Sequence, residues 1–165
     1  MKIQTKETMS EKDLLFIKRA IELSLKSVKR GGGPFGAVIT KDGEIISESY
    51  NQVTLLNDPT AHAEIGAIRE AARKMNTFDL SGCEIYVSCE PCPMCLGAIY
   101  WARINKVFFA STRSDAENIG FDDSLIYEEI SRPLRERKIE FKQLLREEAL
   151  EAFRAWEEYE DKVEY

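Results

Sequence analysis

Between residues 10 and 110 the hydrophobic period switches from helical to alternating and back in a fixed order, and that order restricts the chain to a sheet flanked by helices. Ser10 reads as a helix N-cap with Asp13 at the third helical position. Leu14, Ile17, Ile21, Leu25 and Val28 follow at spacings of three and four, the pattern of an amphipathic helix. Gly31-Gly32-Gly33-Pro34 stops it. Residues 35–40 and 44–50 read as strands joined across Lys41-Asp42-Gly43, a hairpin. After a loop over 51–57, either Asp58 with Pro59 behind it or Thr60 caps a second helix, whose apolar face is Ala61, Ile65, Ile68, Ala72 and Met75. A strand over 84–88, a helix over about 92–102 and a strand over 106–110 come next. Residues 139–144 read as a fifth strand and 147–162 as a last helix. The expectation is an α/β fold: a three-layer αβα sandwich around a central five-stranded mixed sheet.

A chain of 165 residues, 44% hydrophobic and 32% charged, has enough apolar side chain to build one core, so wholesale disorder is excluded. No stretch approaches 18 uninterrupted apolar residues, and the polar residues 1–9 lack the apolar core of a signal peptide, which predicts a cytoplasmic protein. With no repeat, low-complexity tract or linker, the chain reads as one domain over 1–145 with an appended helix and tail over 146–165. That tail holds eight acidic and three basic side chains and so carries five of the six net negative charges. An acidic tail on a nearly neutral body argues against long nucleic acid as the partner.

Cys83, Cys89, Cys92 and Cys95 fall within thirteen residues, a clustering unlike a disulfide scaffold and closer to metal or redox chemistry. Cys92-Pro93-Met94-Cys95 at a helix start sets two sulfurs on one face, where unpaired backbone N–H groups favour thiolates. Such a pair takes two corners of a tetrahedral zinc site, or forms a redox or buried pair. Cys89 extends the spacing to C-x-x-C-x-x-C, which also admits a three-thiolate site; Cys92 and Cys95 are preferred because Cys89 ends the predicted strand. Cys83 has only a structural reading. His62 is the single histidine, so no site needing two is possible. His62-Ala63-Glu64 followed by Pro91-Cys92-Pro93-Met94-Cys95 is the H-x-E and P-C-x-x-C signature of zinc-dependent nucleobase deaminases. Three protein ligands leave the fourth position to water, and Glu64 beside it is the candidate proton carrier.

Around these residues lie Gly33-Pro34-Phe35-Gly36-Ala37-Val38, Asn57-Asp58-Pro59-Thr60-Ala61-His62-Ala63-Glu64, the run from Ser88 to Arg103, and Gly120-Phe121-Asp122-Asp123-Ser124. Over nearly its whole length the chain resembles the cytidine deaminase superfamily, and within it the small bacterial guanine deaminases. The last block and an aromatic tail ending in Tyr165 carry the narrower resemblance; the first three are shared in looser form with tRNA adenosine deaminases and fungal-type cytosine deaminases. The resemblance implies hydrolysis of guanine at C2 to xanthine and ammonia. One zinc ion per chain would sit on His62, Cys92 and Cys95, with Glu64 as the proton shuttle. Asn51, Asp123 and Tyr165 would bind the purine, Asp123 being counted with Glu64 in the catalytic set, and Phe35 and Trp101 would line the pocket. It also implies a homodimer in which the tail closes over the site, on its own subunit or exchanged with the partner's.

Each residue has a plainer reading. Asn51 serves as a turn former, Asp122 or Asp123 as a cap of a helix near Ser124, and Phe35 and Trp101 as core; spacing does not decide which aspartate faces a ligand. The competing functions are deamination of guanosine, cytosine or a pterin-like ring, deamination of adenosine in tRNA, and a zinc-stabilised binding module without catalysis. Glu64 argues against the last, since a structural site gains nothing from a carboxylate beside an open position.

Overall fold

The computed structural model describes residues 10–165; residues 1–9, on which the absence of a signal peptide was read, lie outside the described residues. Ser10 caps α1 (Glu11–Lys29) through a capping box: its side chain accepts from Asp13 N at 3.1 Å and its own N–H donates to Asp13 Oδ2 at 2.9 Å. The hairpin β1 (Gly36–Lys41) and β2 (Glu44–Tyr50) turns at Asp42 and Gly43, both with positive φ (51° and 76°), the backbone that a two-residue hairpin turn demands. A short α2 (Val53–Leu56) occupies part of the expected loop. Then come α3 (Ala63–Met75), β3 (Cys83–Cys89), α4 (Pro93–Trp101), β4 (Val107–Ser111) and α5 (Arg113–Glu117).

The sheet has four strands in the order β2-β1-β3-β4, antiparallel except for the parallel pair β3–β4 across α4. The expected fifth strand is absent. Residues 139–144 have no ladder partner among the described residues, and Ile139, Phe141 and Leu144 stand 73%, 51% and 78% exposed. Apolar alternation makes a strand only where a neighbouring backbone takes up its hydrogen bonds.

Side chains alternate across the sheet into two cores. Ala37, Ile39, Ile85 and Val87 pack with Ala63, Ala67 and Ala71 of α3 and Ile99 of α4 on one face. Val38 and Tyr86 pack with Phe16, Ala20 and Leu23 of α1 on the other. The buried face of α1 is therefore Phe16, Ala20, Leu23, Ser24 and Ser27, rotated from the predicted stripe, of which Leu14, Ile21, Leu25 and Val28 are exposed. Two apolar rows run along this helix, and the row with small residues wins because it lies close to β1. A Cβ on Gly36 would collide with Ala20 O, Leu23 Cβ and Ser24 N.

The chain divides into two compact units, one ending at Asp123 and one over Ser124–Tyr165. The second contains α6 (Ser124–Ser131), a 3-10 turn (Leu134–Glu136) and α7 (Arg146–Glu158), and no side chain in these elements is buried. Among the described residues no helix is long and apolar enough to cross a membrane.

Candidate active site

Two helix starts carry the donors. Neither expected cap serves α3: Asp58 Oδ1 instead accepts from Thr60 N and Oγ1 at 2.8 and 2.7 Å, closing a local turn before the helix. The N-cap is His62, whose ring makes no capping bond and so stays available. Cys92 is likewise the N-cap of α4, with Pro93 at the first helical position, where its missing N–H costs nothing. Cys95 lies one turn on. His62 Nδ1 is 3.6 Å from Cys92 Sγ and 3.5 Å from Cys95 Sγ, and the three donor atoms all lie within 4.8 Å of one another. A tetrahedral ion with the usual zinc–nitrogen and zinc–sulfur bond lengths separates an N and an S ligand by about 3.6 Å, so the donor set fits zinc in type and spacing.

The electrostatics suit a cation. The hydrogen bond with Cys95 and the neighbouring His62 hold the Cys92 thiol down to about 4. Cys92 and burial push the Cys95 thiol up, a shift that a bound cation would oppose by favouring both thiolates. The Cys92 hydrogen bond raises His62. Glu64, in the first turn of α3, is only 7% exposed, and burial pushes its carboxyl above the ordinary range. Cys89 stands outside the donor group, its Sγ 3.5 Å from Thr112 O, and Cys83 is buried beside Met75.

Asn51 directly follows β2 and is 5% exposed. Its N–H donates to Phe35 O at 2.9 Å, and its Oδ1 accepts from Gly33 N at 3.3 Å and Val53 N at 3.2 Å. Both acceptances fix which end of the amide is oxygen and leave the NH2 group as the end available to a ligand. Phe35 meets Phe121 edge to face at 5.0 Å. That contact seats the loop carrying Asp122, which is exposed, and Asp123, whose carboxylate takes a hydrogen bond from Arg113 Nε at 3.1 Å. His62, Cys92, Cys95 and Glu64 thus come together, and Asn51 and Phe35 adjoin one another. Trp101 is the last residue of α4, about 13 Å along the helix axis from Cys92, and is 67% exposed. Tyr165 belongs to the second unit and is 71% exposed.

Sequence reasoning missed Glu90 and Arg113, which join this loop to the end of the sheet. The one signal for Arg113 is its place behind Thr112 in a Thr-x-x-Asp capping box.

The family model for the cytidine and deoxycytidylate deaminase zinc-binding region matches residues 10–111. Guanine deaminase of Bacillus subtilis is 55% identical over 151 residues, 91% of this chain and 97% of the relative. A crystal structure of guanine deaminase from Bacillus subtilis superposes with a TM-score of 0.90 at 53% identity, covering 95% of this chain and 99% of that one. The tRNA-specific adenosine deaminase of Aquifex aeolicus is 50% identical, but over 96 residues, 58% of this chain and 64% of the relative.

Proposed function

The chain belongs to the cytidine and deoxycytidylate deaminase zinc-binding family, and on that premise we propose that it is a guanine deaminase, hydrolysing guanine to xanthine and ammonia. The buried Glu64 beside the His62, Cys92 and Cys95 donors carries the chemistry. The choice of substrate is supported by similarity to a guanine deaminase over 91% of this chain, against 58% for the tRNA enzyme.

His62, Cys92 and Cys95 would hold one zinc ion, which would supply the Lewis acidity that makes water a nucleophile near neutral pH. Water adds to C2 of guanine and the C2–N3 double-bond electrons move to N3. Glu64 takes a proton from the water and gives it to N3, then carries the second to the exocyclic nitrogen, which leaves as ammonia while C2 becomes the carbonyl of xanthine. A carboxyl with its affinity for protons raised by burial suits both directions of transfer. Asn51 donates its NH2 to an acceptor on the purine and Asp123 accepts from the purine's N–H groups, with Phe35 against the ring.

We read the active form as a homodimer. Leu96, Tyr100 and Trp101 leave 37%, 75% and 67% of their surface exposed along α4, and Phe153, Trp156 and Tyr159 do the same on and just beyond α7. Apolar surface of that kind calls for a second chain. Residues 146–165 with Tyr165 then close the pocket over the 1–145 body, with Trp101 in its lining. Four free cysteines accord with a reducing, cytoplasmic setting. The test is ammonia release by the zinc-loaded protein from guanine, guanosine, adenine, cytosine and a tRNA anticodon arm. Guanine is expected to lead in kcat/KM by at least about 100-fold, the scale on which mismatched polar groups discriminate; a lead for guanosine or the tRNA arm overturns the assignment.

A further inference from the structure

Arg113 opens α5 at the carboxyl end of β4, and its place is set by backbone. Thr112 caps the helix, its side chain accepting from Asp115 N at 3.3 Å while its N–H donates to Asp115 Oδ2 at 2.8 Å. The Arg113 backbone N–H donates to Glu90 Oε2 at 3.1 Å, and Glu90 N donates to Ser111 O at 2.9 Å. These bonds carry the β3–β4 pairing past the end of the sheet, to within two residues of Cys92. From that anchored position Arg113 Nε donates to Asp123 Oδ1 at 3.1 Å, with the Asp123 side chain 19% exposed. The loop's other holds, the Phe35–Phe121 edge contact and the hydrogen bonds from Gly120 N to Glu117 O at 2.9 Å and from Phe121 N to Ala116 O at 3.0 Å, fix its approach but do not grip the carboxylate. Arg113 faces Glu90, Glu117, Asp122 and Asp123 around one cavity of about 260 Å³. One guanidinium among four carboxylates offsets repulsion that would otherwise drive Asp123 away from its neighbours.

We propose that Arg113 is the positioning residue of Asp123: by holding Oδ1 it keeps the carboxylate in one rotamer, with Oδ2 presented to the N–H groups of the base. Arg113 acts through Asp123 and does not touch the purine, so the proposal rests on the reading of Asp123 given above. A carboxylate ordered before binding costs less to immobilise when the base arrives, and the benefit appears in affinity. Because the contact is a single Nε–Oδ1 bond and not a two-pronged clamp, one cationic donor of similar reach serves nearly as well.

The experiment measures kcat and KM for guanine, zinc content and Tm on the full-length zinc-loaded enzyme for Arg113→Ala, Arg113→Lys, Asp123→Asn and the Arg113→Ala/Asp123→Asn double variant. Arg113→Ala is expected to raise KM at least tenfold with kcat within about threefold of the parent and with zinc and Tm unchanged. Arg113→Lys is expected to bring KM back to within about threefold. The double variant is expected to be no worse than Asp123→Asn, as it must be if one residue works through the other. A normal KM in Arg113→Ala beside a raised KM in Asp123→Asn overturns the role of Arg113 and leaves Asp123 as the base-reading group. A normal KM in Asp123→Asn overturns the reading of Asp123 and this proposal with it. Loss of Tm in Arg113→Ala that Arg113→Lys does not restore in KM overturns it in favour of a purely structural bond.

Discussion

Every buried side chain among the described residues lies before Asp123, whereas Ser124–Tyr165 buries none yet exposes Leu125, Ile126, Ile130, Ile139, Phe141, Phe153 and Trp156. Both units form regular helices, so helix formation and burial are separable here. In the first unit α3 and α4 exist because their alanines and isoleucines fit the sheet. In the second, the end of α6 is held by local charge pairs of Arg132 with Glu128 and Glu129, bonds worth a fraction of a kcal/mol each at the surface. A 13-residue helix such as α7 is marginal on local terms alone. The lesson of the contrast is that the first unit is specified from within, while the second carries apolar surface that only another surface can use.

The largest effect should come from chemistry housed wholly in the first unit. Glu64→Gln keeps size and some hydrogen bonding but cannot carry a proton, and kcat should fall by about 10³-fold or more with zinc content and Tm unchanged. Measurable turnover near the parent's would remove Glu64 from the mechanism.

Next comes stability. Leu80 is fully buried, and Leu80→Ala should cost about 2–5 kcal/mol in denaturant unfolding. Phe153→Ala, at a residue 69% exposed, should cost under about 0.5 kcal/mol at high dilution. Raising the protein concentration sharpens the comparison: a Phe153→Ala penalty that grows with concentration means α7 buries its aromatics between two copies, and a constant one breaks the homodimer reading.

Removing residues 160–165 should raise KM for guanine at least about tenfold, roughly 1.4 kcal/mol, while Tm and zinc stay at the parent's values. Mixing that truncated chain with the Glu64→Gln chain then assigns the tail. Activity regained in the mixed dimer requires a tail acting across the interface; no recovery in proven heterodimers keeps it on its own subunit.

The smallest effect is a pH-dependent one within the first unit. Glu48 accepts from Arg19 Nε at 2.7 Å and Nη2 at 2.9 Å, and that hydrogen bonding holds its carboxyl below the ordinary 4.5. A lowered folded value means the pair's contribution is complete above pH 4.5 and is lost as pH falls through the folded value. Glu48→Gln should therefore cost at most about 1 kcal/mol at pH 7 for a pair this exposed. The gap between variant and parent should close on acidification, and a gap that widens instead would mean the two residues are not paired in solution.

What the sequence made legible was local. The Ser10–Asp13 capping box, the Asp42-Gly43 turn and the spacing of His62, Cys92 and Cys95 each follow from residues a few positions apart, or from two helix starts, and the structure has all three. What it hid depended on a choice among neighbours. α1 offered two apolar rows, and only the absence of a side chain at Gly36 selects the buried one. Residues 139–144 alternate like a strand but have no ladder partner among the described residues. Asp58 had the chemistry of a cap and spent it on Thr60. The Arg113–Asp123 bond spans ten residues, from the start of the short α5 to the loop beyond it, where no hydrophobic periodicity links the two.

The amide of Asn51 deserves a last consequence. Because Gly33 and Val53 hold its oxygen, the loop's own folding decides that the end offered to a ligand is nitrogen. An aspartate at this position would keep both of those bonds and the loop's shape while replacing the free nitrogen with an oxygen. The pocket's polarity there would reverse, from a neutral donor to an anion, for the exchange of one atom. If Asn51 reads the base as proposed, selectivity at this corner of the site is written in atom identity and not in shape, and a change of preferred ring needs no change of fold.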